Sequence, residues 1–183
     1  MRVISGRCKG RKLKAHKSMI TRPTTDKVKE SLFNIIGPNL SGERVLDLFA
    51  GSGALGIEAL SRGASTALFV EKNFSVSRIL HENIAFCKLG GQAEVLVMNA
   101  KQAIDRLSTN GMQPFDLVFI DPPYKMAQDV IELIETMCAN NLLSEEALVI
   151  VEHDGKVTMP DCIAALEQFR QEKYGETRIT FYG

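Results

Sequence analysis

The segment from Asp121 to Tyr124 combines residue types that can hold a planar amine. It follows a strongly apolar run and has the sequence Asp-Pro-Pro-Tyr. Pro122 and Pro123 fix φ and donate no backbone N–H, so the loop is rigid. The Asp121 carboxylate and the Pro122 carbonyl are acceptors, and the Tyr124 ring can stack on a flat molecule. The set suits the exocyclic amine of a nucleobase; a turn with a purely structural role is the alternative.

Glycines recur at the spacing of a nucleotide-binding loop. Gly51, Gly53 and Gly56 follow an apolar run, and Glu71 lies 20 residues after Gly51. Glycine lets the backbone approach a ligand closely, and an acid at the end of the next strand can accept hydrogen bonds from ribose hydroxyls. The pattern predicts a nucleotide-like ligand, against the alternative of a turn that only packs.

Asp47 discriminates between two such ligands, a dinucleotide such as NAD and S-adenosylmethionine. It stands four residues before Gly51, close to whatever the loop holds. A carboxylate there repels a pyrophosphate but attracts a sulfonium and an ammonium group, by about 1–4 kcal/mol at close range. The sequence therefore favours S-adenosylmethionine.

Short apolar runs and helical stretches alternate from residue 44 onward. Most of the runs are rich in Val, Leu, Ile or Phe, as expected for strands buried on both faces. Such alternation predicts βαβ units in a parallel sheet. The expected fold class is α/β and Rossmann-like, a mostly parallel seven-stranded sheet with a terminal antiparallel hairpin. The predicted strands are 44–49, 67–71, 94–98, 116–121, 147–152, 166–173 and 177–182, and the predicted helices between them 54–62, 74–87, 100–108 and 127–139.

Charge is unevenly distributed in a chain that is neutral overall. The first 30 residues hold 10 Lys/Arg and 2 Asp/Glu, and the remainder holds 12 and 20. We expect residues 1–40 to form a basic extension, a β-hairpin and one helix, beside an acidic domain at 41–183. Such a cluster binds phosphates in a salt-dependent way, unless it is only a solvated tail. The candidate nucleic-acid-binding residues are Arg2, Arg7, Lys9, Arg11, Lys12, Lys14, Lys17 and Arg22.

Cysteine spacing and hydropathy disfavour several other classes. The four cysteines form no CxxC pair and have no histidine at ligand spacing, so neither a metal site nor a disulfide framework is predicted. The apolar runs are too short to span a bilayer, and the first residues lack the features of a secretion signal. We expect a cytoplasmic monomer without a bound metal.

The segment from Leu46 to Ala64, together with Arg22 to Thr24, Glu30 to Asn34 and the Asp121 to Tyr124 loop, resembles the RsmD family of class I methyltransferases. The resemblance runs in order over nearly the whole chain. It implies methylation of the N2 amine of a guanine in bacterial 16S ribosomal RNA, on an assembled or nearly assembled small subunit, with S-adenosylhomocysteine as the product.

The same resemblance assigns the cofactor site. Asp47, Gly51 and Gly53 would shape its methionine end, Glu71 would bind the ribose, and Asn99-Ala100 would meet the adenine. Asn99 stands where many class I methyltransferases have an acid, and an amide accepts more weakly than a carboxylate. The predicted cofactor-binding residues are Asp47, Phe49, Gly51, Ser52, Gly53, Glu71, Asn99 and Ala100.

A mechanism follows as a hypothesis. If Asp121 and the Pro122 carbonyl each accept one N–H of the guanine amine, its lone pair turns towards the methyl group, while Tyr124 fixes the plane of the base. No strong base is needed, because the product ammonium is acidic. The guanine must leave its stack to enter the site.

Three other functions stay open. A DNA adenine-N6 methyltransferase uses the same Asp-Pro-Pro-Tyr loop, although about 40 N-terminal residues leave little room for a domain that reads DNA. Asp47 and Asp121 disfavour an NAD-dependent oxidoreductase. A non-catalytic RNA-binding assembly factor would bind the cofactor and transfer no methyl group.

Overall fold

A computed structural model of the chain describes residues 1–15, 26–109, 111–122 and 127–183. Helices and strands alternate through most of these residues, as the sequence predicts. In chain order the elements are a 3-10 turn at Gly6–Cys8, then α1 Asp26–Ile36, β1 Arg44–Asp47, α2 Ala54–Ser61, β2 Thr66–Val70, α3 Phe74–Phe86, β3 Ala93–Leu96, α4 Ala100–Thr109, β4 Phe115–Ile120, α5 Ala127–Ala139, β5 Leu143–Asp154, β6 Cys162–Ile163, β7 Leu166–Tyr174 and β8 Thr177–Tyr182.

The strands form one sheet with the order β3-β2-β1-β4-β5-β8-β7-β6. The pairs from β3 to β5 are parallel, and β8, β7 and β6 continue the sheet with antiparallel pairs. The prediction of a mostly parallel sheet with a terminal antiparallel hairpin is confirmed. The additional strand, β6, has two residues, too few to produce a recognisable alternation in the sequence.

Alternate residues of the central strands face two separate cores. Val45 and Phe119 pack in one cluster with residues of α1, α2 and α3. Leu46 and Val118 pack in the other with residues of α4 and α5. Both faces are covered, which explains why these strands are apolar at nearly every position.

Most helices and strands begin and end within two residues of their predicted bounds, and β5 differs most from its prediction. It begins at Leu143, four residues before the predicted start. The register between β4 and β5 shifts between Phe115 and Leu117. This bulge accommodates the polar residues Ser144 to Glu146, which the sequence pattern places outside a strand.

Residues 1–15, called the arm below, pack against the α2 and α3 face of the sheet. The arm is a hairpin reduced to one antiparallel bridge, Arg2 with Lys12, around the 3-10 turn. Val3, Cys8 and Leu13 are buried in the same core as α2 and α3. Gly6 has φ +76°, and a Cβ there would lie 1.7 Å from the Ser61 carbonyl oxygen, so only glycine permits this approach. The described part of the basic extension is therefore a docked element and not a solvated tail.

Membrane-spanning helices and clusters of metal-binding side chains are both absent from the described ranges. Within them, no helix has both the length and the apolar character that crossing a membrane requires. His, Cys, Asp and Glu side chains in the same ranges do not gather in threes at positions that could hold a metal ion.

Candidate functional site

The carboxyl ends of β1 and β4 lie side by side and define the candidate site. Asp47, the last residue of β1, is in register with Phe119 of β4. The Leu48 N–H donates to the Phe119 carbonyl at 3.0 Å. β1 connects onward to β2 on one side and β4 to β5 on the other, so this is the position where the strand order reverses. Open α/β sheets bind their ligands at such a switch point.

The glycine loop, residues 48–53, is fixed by Glu71 at the end of β2. The Gly51 N–H donates to Glu71 Oε2 at 3.1 Å, and the Asn73 N–H donates to Oε1 at 2.7 Å. A carboxylate has about four acceptor positions, so Glu71 can hold the loop and still accept hydrogen bonds from a ligand. Gly53 has φ +83°, and a Cβ there would lie 2.4 Å from Leu80 Cδ1. This glycine thus permits close packing against α3.

Asp47 is buried beneath the same loop. Its Oδ2 accepts the Gly56 N–H at 3.0 Å, in the first turn of α2. Burial raises the pKa of Asp47 to about 7, against the lowering effect of the Gly56 amide and with a further rise from the Glu71 charge. In the described part of the chain, no Lys or Arg forms an ion pair with it. A cationic ligand at this position would relieve an uncompensated buried acid.

Ser52 connects the glycine loop to the arm through Asn83, a buried residue of α3. Asn83 Nδ2 donates to the Ser52 carbonyl at 2.9 Å and to the Lys14 carbonyl at 3.0 Å. Its Oδ1 accepts the Lys14 N–H at 2.9 Å. Asn83 is not among the predicted site residues; its signal in the sequence is a polar side chain on the apolar face of α3, three residues after Leu80 and seven after Val76.

The third predicted cofactor segment lies at the start of α4. Asn99 Oδ1 accepts the Gln102 N–H at 2.9 Å and caps this helix, and Ala100 is buried. The Asn99 oxygen is therefore engaged by the backbone, and the amide NH₂ is the group more available to a ligand. Phe49 is half-buried and packs against the second core.

The predicted substrate loop begins directly after β4. Asp121 and Pro122 are half-buried at the same edge of the sheet as the glycine loop. Pro123 and Tyr124 lie outside the described residues, as do Lys17 and Arg22 from the basic set. The structure thus places Asp121 and Pro122, the first two residues of the predicted substrate loop, directly after the strand that pairs with the one carrying Asp47.

The described basic residues lie along the arm, and several have partners on the body. Arg2 pairs with Asp26 at 3.0 Å, and Lys14 with Glu82 at 2.7 Å. The remaining cations are engaged or exposed as follows: Arg7 donates to Gln92 Oε1, Arg11 donates to the Phe86 carbonyl at 2.6 Å, and Lys9 and Lys12 are exposed. The arm therefore presents a basic surface whose backbone is fixed.

A buried charged cluster, the arm anchor, is formed by Glu58, Lys29 and Arg62. Glu58 accepts the Ile4 N–H at 2.8 Å and the Ser5 N–H at 2.9 Å. It also pairs with Lys29 Nζ at 3.1 Å and Arg62 Nε at 2.9 Å. Burial lowers the pKa of Lys29, although Glu58 opposes this. The anchor residues are not among the predicted site residues, but a glutamate in the otherwise apolar or small stretch from Ala54 to Ser61 signals a buried ion pair.

A parallel sheet of this order, continued by antiparallel strands, with a glycine loop after β1 and an acid after β2, is the class I methyltransferase fold. The chain belongs to the family described as conserved hypothetical protein 95, whose profile matches residues 1–183.

Named relatives are similar over the whole chain. YlbH of Bacillus subtilis (strain 168), provisionally named an rRNA methyltransferase, is 43% identical, and the match covers 100% of this chain and 98% of YlbH. Ribosomal RNA small subunit methyltransferase D of Escherichia coli (strain K12) is 38% identical, with 100% of this chain and 89% of the relative covered. The structure of Escherichia coli yhhF, provisionally named a methyltransferase, has a TM-score of 0.86 and 37% identity, covering 100% of this chain and 96% of that one. The predicted resemblance to the RsmD family is confirmed.

Proposed function

We propose that this protein transfers a methyl group from S-adenosylmethionine to the N2 amine of a guanine in bacterial 16S ribosomal RNA, within the small subunit. The observation that carries the proposal is the buried acid Asp47 beneath a glycine loop, next to the strand that Asp121 and Pro122 follow. The names of the whole-length relatives support ribosomal RNA as the substrate class.

The residues present fit the proposed cofactor, whose sulfonium supplies an electrophilic methyl group. Ionised Asp47 attracts the positive charges of its methionine end, and Gly51 to Gly53 keep the backbone close to it. Glu71 has acceptor capacity left for the ribose hydroxyls after holding Gly51 and Asn73. The Asn99 NH₂ group donates to the adenine ring, since its oxygen caps α4.

The substrate loop acts on the guanine amine. Asp121 and the Pro122 carbonyl accept its two N–H groups and orient the lone pair, and Pro123 keeps the loop rigid. Tyr124 stacks on the base. The product ammonium loses its proton readily, so Asp121 serves as an orienting acceptor and can take up that proton.

The proposal also assigns the two parts of the chain. Residues 1–40 are the RNA-facing extension, and residues 41–183 carry methyl transfer. The protein acts as a monomer in the cytoplasm, where small subunits are assembled, and it needs no metal for the reaction.

The test is methyl transfer from labelled S-adenosylmethionine to small subunits and to free 16S rRNA, both from a strain that lacks this gene. Mass spectrometry of the digested RNA is expected to show N2-methylguanosine. Asp121→Ala is expected to lower the rate at saturating substrate by about 100-fold or more, while the Kd for S-adenosylhomocysteine is unchanged. Asp105→Ala, an exposed acid on α4, is the matched control and retains activity.

Two results would contradict this proposal in different ways. Formation of N6-methyl-2′-deoxyadenosine in DNA offered as substrate, with rRNA left unmodified, indicates the DNA adenine class. Good cofactor binding without methyl transfer to any RNA indicates an assembly factor.

A further inference from the structure

We propose that Arg11 and Phe86 form a base platform, a site on which an unpaired RNA base stacks beside the arm. The inference rests on the proposed function and adds to it the face of the protein on which the RNA lies. Phe86 is the last residue of α3, and 57% of it is exposed. The Arg11 guanidinium carbon lies 5.7 Å from the centre of the Phe86 ring.

Arg11 is held in this position by a second contact. Its guanidinium donates to the Phe86 carbonyl at 2.6 Å, at the end of the helix where carbonyls lack internal partners. A cation is favoured at this end of a helix dipole. The planar guanidinium and the ring are therefore presented together, and both are surfaces on which nucleobases stack.

The surroundings of the platform are basic. Cys8 Sγ lies 3.4 Å from the Cys87 carbonyl, which brings the arm residues Arg7 and Lys9 to the end of α3. Lys88 is exposed next to Phe86 in sequence. The nearby acid Glu82 is paired with Lys14. An exposed aromatic ring among cations is typical of single-strand binding, in which the cations follow the backbone and the ring takes a base.

A second exposed phenylalanine shows the contrast. Phe169 on β7 is 56% exposed, and its ring centre lies 6.1 Å from that of Phe181. Its sequence neighbour Arg170 pairs with Glu172 at 2.8 Å. Phe169 has the same exposure as Phe86 but lies in a neutralised setting, so it serves as the matched control.

The distance from the methyl-transfer edge determines what the platform can do. Phe86 is 12 residues beyond Phe74, so α3 separates it by about 18 Å from the end that carries Glu71 and Asn73. The platform therefore contacts a nucleotide that flanks the target guanine. Losing it weakens RNA binding and leaves the chemical step intact.

Tryptophan fluorescence tests the contact directly. The sequence contains 0 Trp, so Phe86→Trp and Phe169→Trp each introduce a single reporter. Titration with a short single-stranded RNA oligonucleotide is expected to quench the fluorescence of Phe86→Trp and leave that of Phe169→Trp unchanged. Equal quenching of both, or of neither, overturns the platform.

Kinetics with small subunits test its contribution. Phe86→Ala is expected to raise the KM for subunits about tenfold or more, with kcat and the Kd for S-adenosylhomocysteine unchanged. Phe86→Tyr, which keeps an aromatic ring, is expected to have the wild-type KM, and so is Phe169→Ala. An unchanged KM in Phe86→Ala refutes the inference. If the wild-type protein itself transfers no methyl group to rRNA, the proposed function fails, and the fluorescence result alone decides the platform.

Discussion

Asp47 at the end of β1 and Glu58 within α2 are both buried acids, and they show two uses of a buried carboxylate. Each accepts backbone N–H groups: Asp47 that of Gly56, and Glu58 those of Ile4 and Ser5. They differ in their counter-charges. Glu58 is neutralised by Lys29 and Arg62, whereas within the described residues Asp47 has no basic partner.

The difference shows in the ionisation of the two sites. Burial raises the pKa of Asp47 to about 7, so its charge is only weakly tolerated without a ligand. At the arm anchor it is the charged form of the lysine that burial disfavours, and burial therefore lowers the pKa of Lys29. A compensated buried charge holds the protein together, and an uncompensated one is suited to bind a cation from outside.

Removing Glu58 is expected to have the largest effect. Glu58→Ala leaves Lys29 and Arg62 buried without their acid and removes the acceptor of the Ile4 and Ser5 amides. We expect a loss of about 3–5 kcal/mol in the free energy of unfolding, measured by urea denaturation. A variant as stable as the wild type would show that the anchor is not a structural element.

Asp47→Asn is expected to weaken ligand binding without lowering the stability of the protein. Asparagine can still accept the Gly56 N–H, so the stability of the ligand-free protein at pH 8 is unchanged or increased. The Kd for S-adenosylmethionine rises about tenfold to a hundredfold, because a charged partner is lost. Calorimetry measures the Kd, and the test fails if stability falls while the Kd stays constant.

The pKa of Asp47 also predicts a dependence on pH. A cationic ligand requires ionised Asp47, so the Kd for S-adenosylmethionine is expected to rise about tenfold between pH 8 and pH 6. Binding near pH 7 releases a proton, which calorimetry in two buffers of different ionisation enthalpy detects. Asp47→Asn abolishes this dependence if Asp47 is its origin.

The raised pKa of Asp47 also makes the free energy of unfolding of the ligand-free protein depend on pH. The folded pKa of about 7 lies above the ordinary value of 3.8. The folded state therefore binds a proton that the unfolded chain has released. The contribution of Asp47 to the free energy of unfolding is fully present below pH 3.8 and is lost as the pH rises through 7.

The smallest effect is expected at the exposed pair of Lys14 and Glu82. Both side chains are largely in solvent, where ion pairs contribute little. Glu82→Gln should leave the melting temperature unchanged, in contrast to Glu58→Ala. A marked fall would mean that surface pairs, and not the buried anchor, attach the arm.

The sequence predicted those features that local pattern determines. The strands around Asp47 and Asp121 are apolar runs of ordinary length, and the glycine loop has fixed spacing, so their positions at one edge of the sheet followed from topology. The placement of Glu71 at the end of β2 followed in the same way.

Local pattern marks Glu58 and Asn83 as polar residues in apolar surroundings, but it does not identify the residues with which they pair. In the sequence Lys29 is one more cation of a basic segment, although its side chain is completely buried in the structure. Its partner Glu58 is 29 positions away on a different helix, and no periodicity links the two. The pairing depends on how α1 packs on α2, which only the tertiary structure specifies.

The hydrogen bonds of the arm also determine the order in which the chain can fold. Ile4 and Ser5 bond to Glu58 across 54 and 53 positions, and Lys14 bonds to Asn83 across 69. Such distant pairs form late, because bringing their ends together costs chain entropy that only the completed contacts offset. The arm is synthesised before α2 and α3 and yet cannot dock until α3 has been made. The basic surface therefore takes its final form only after α2 and α3 are present.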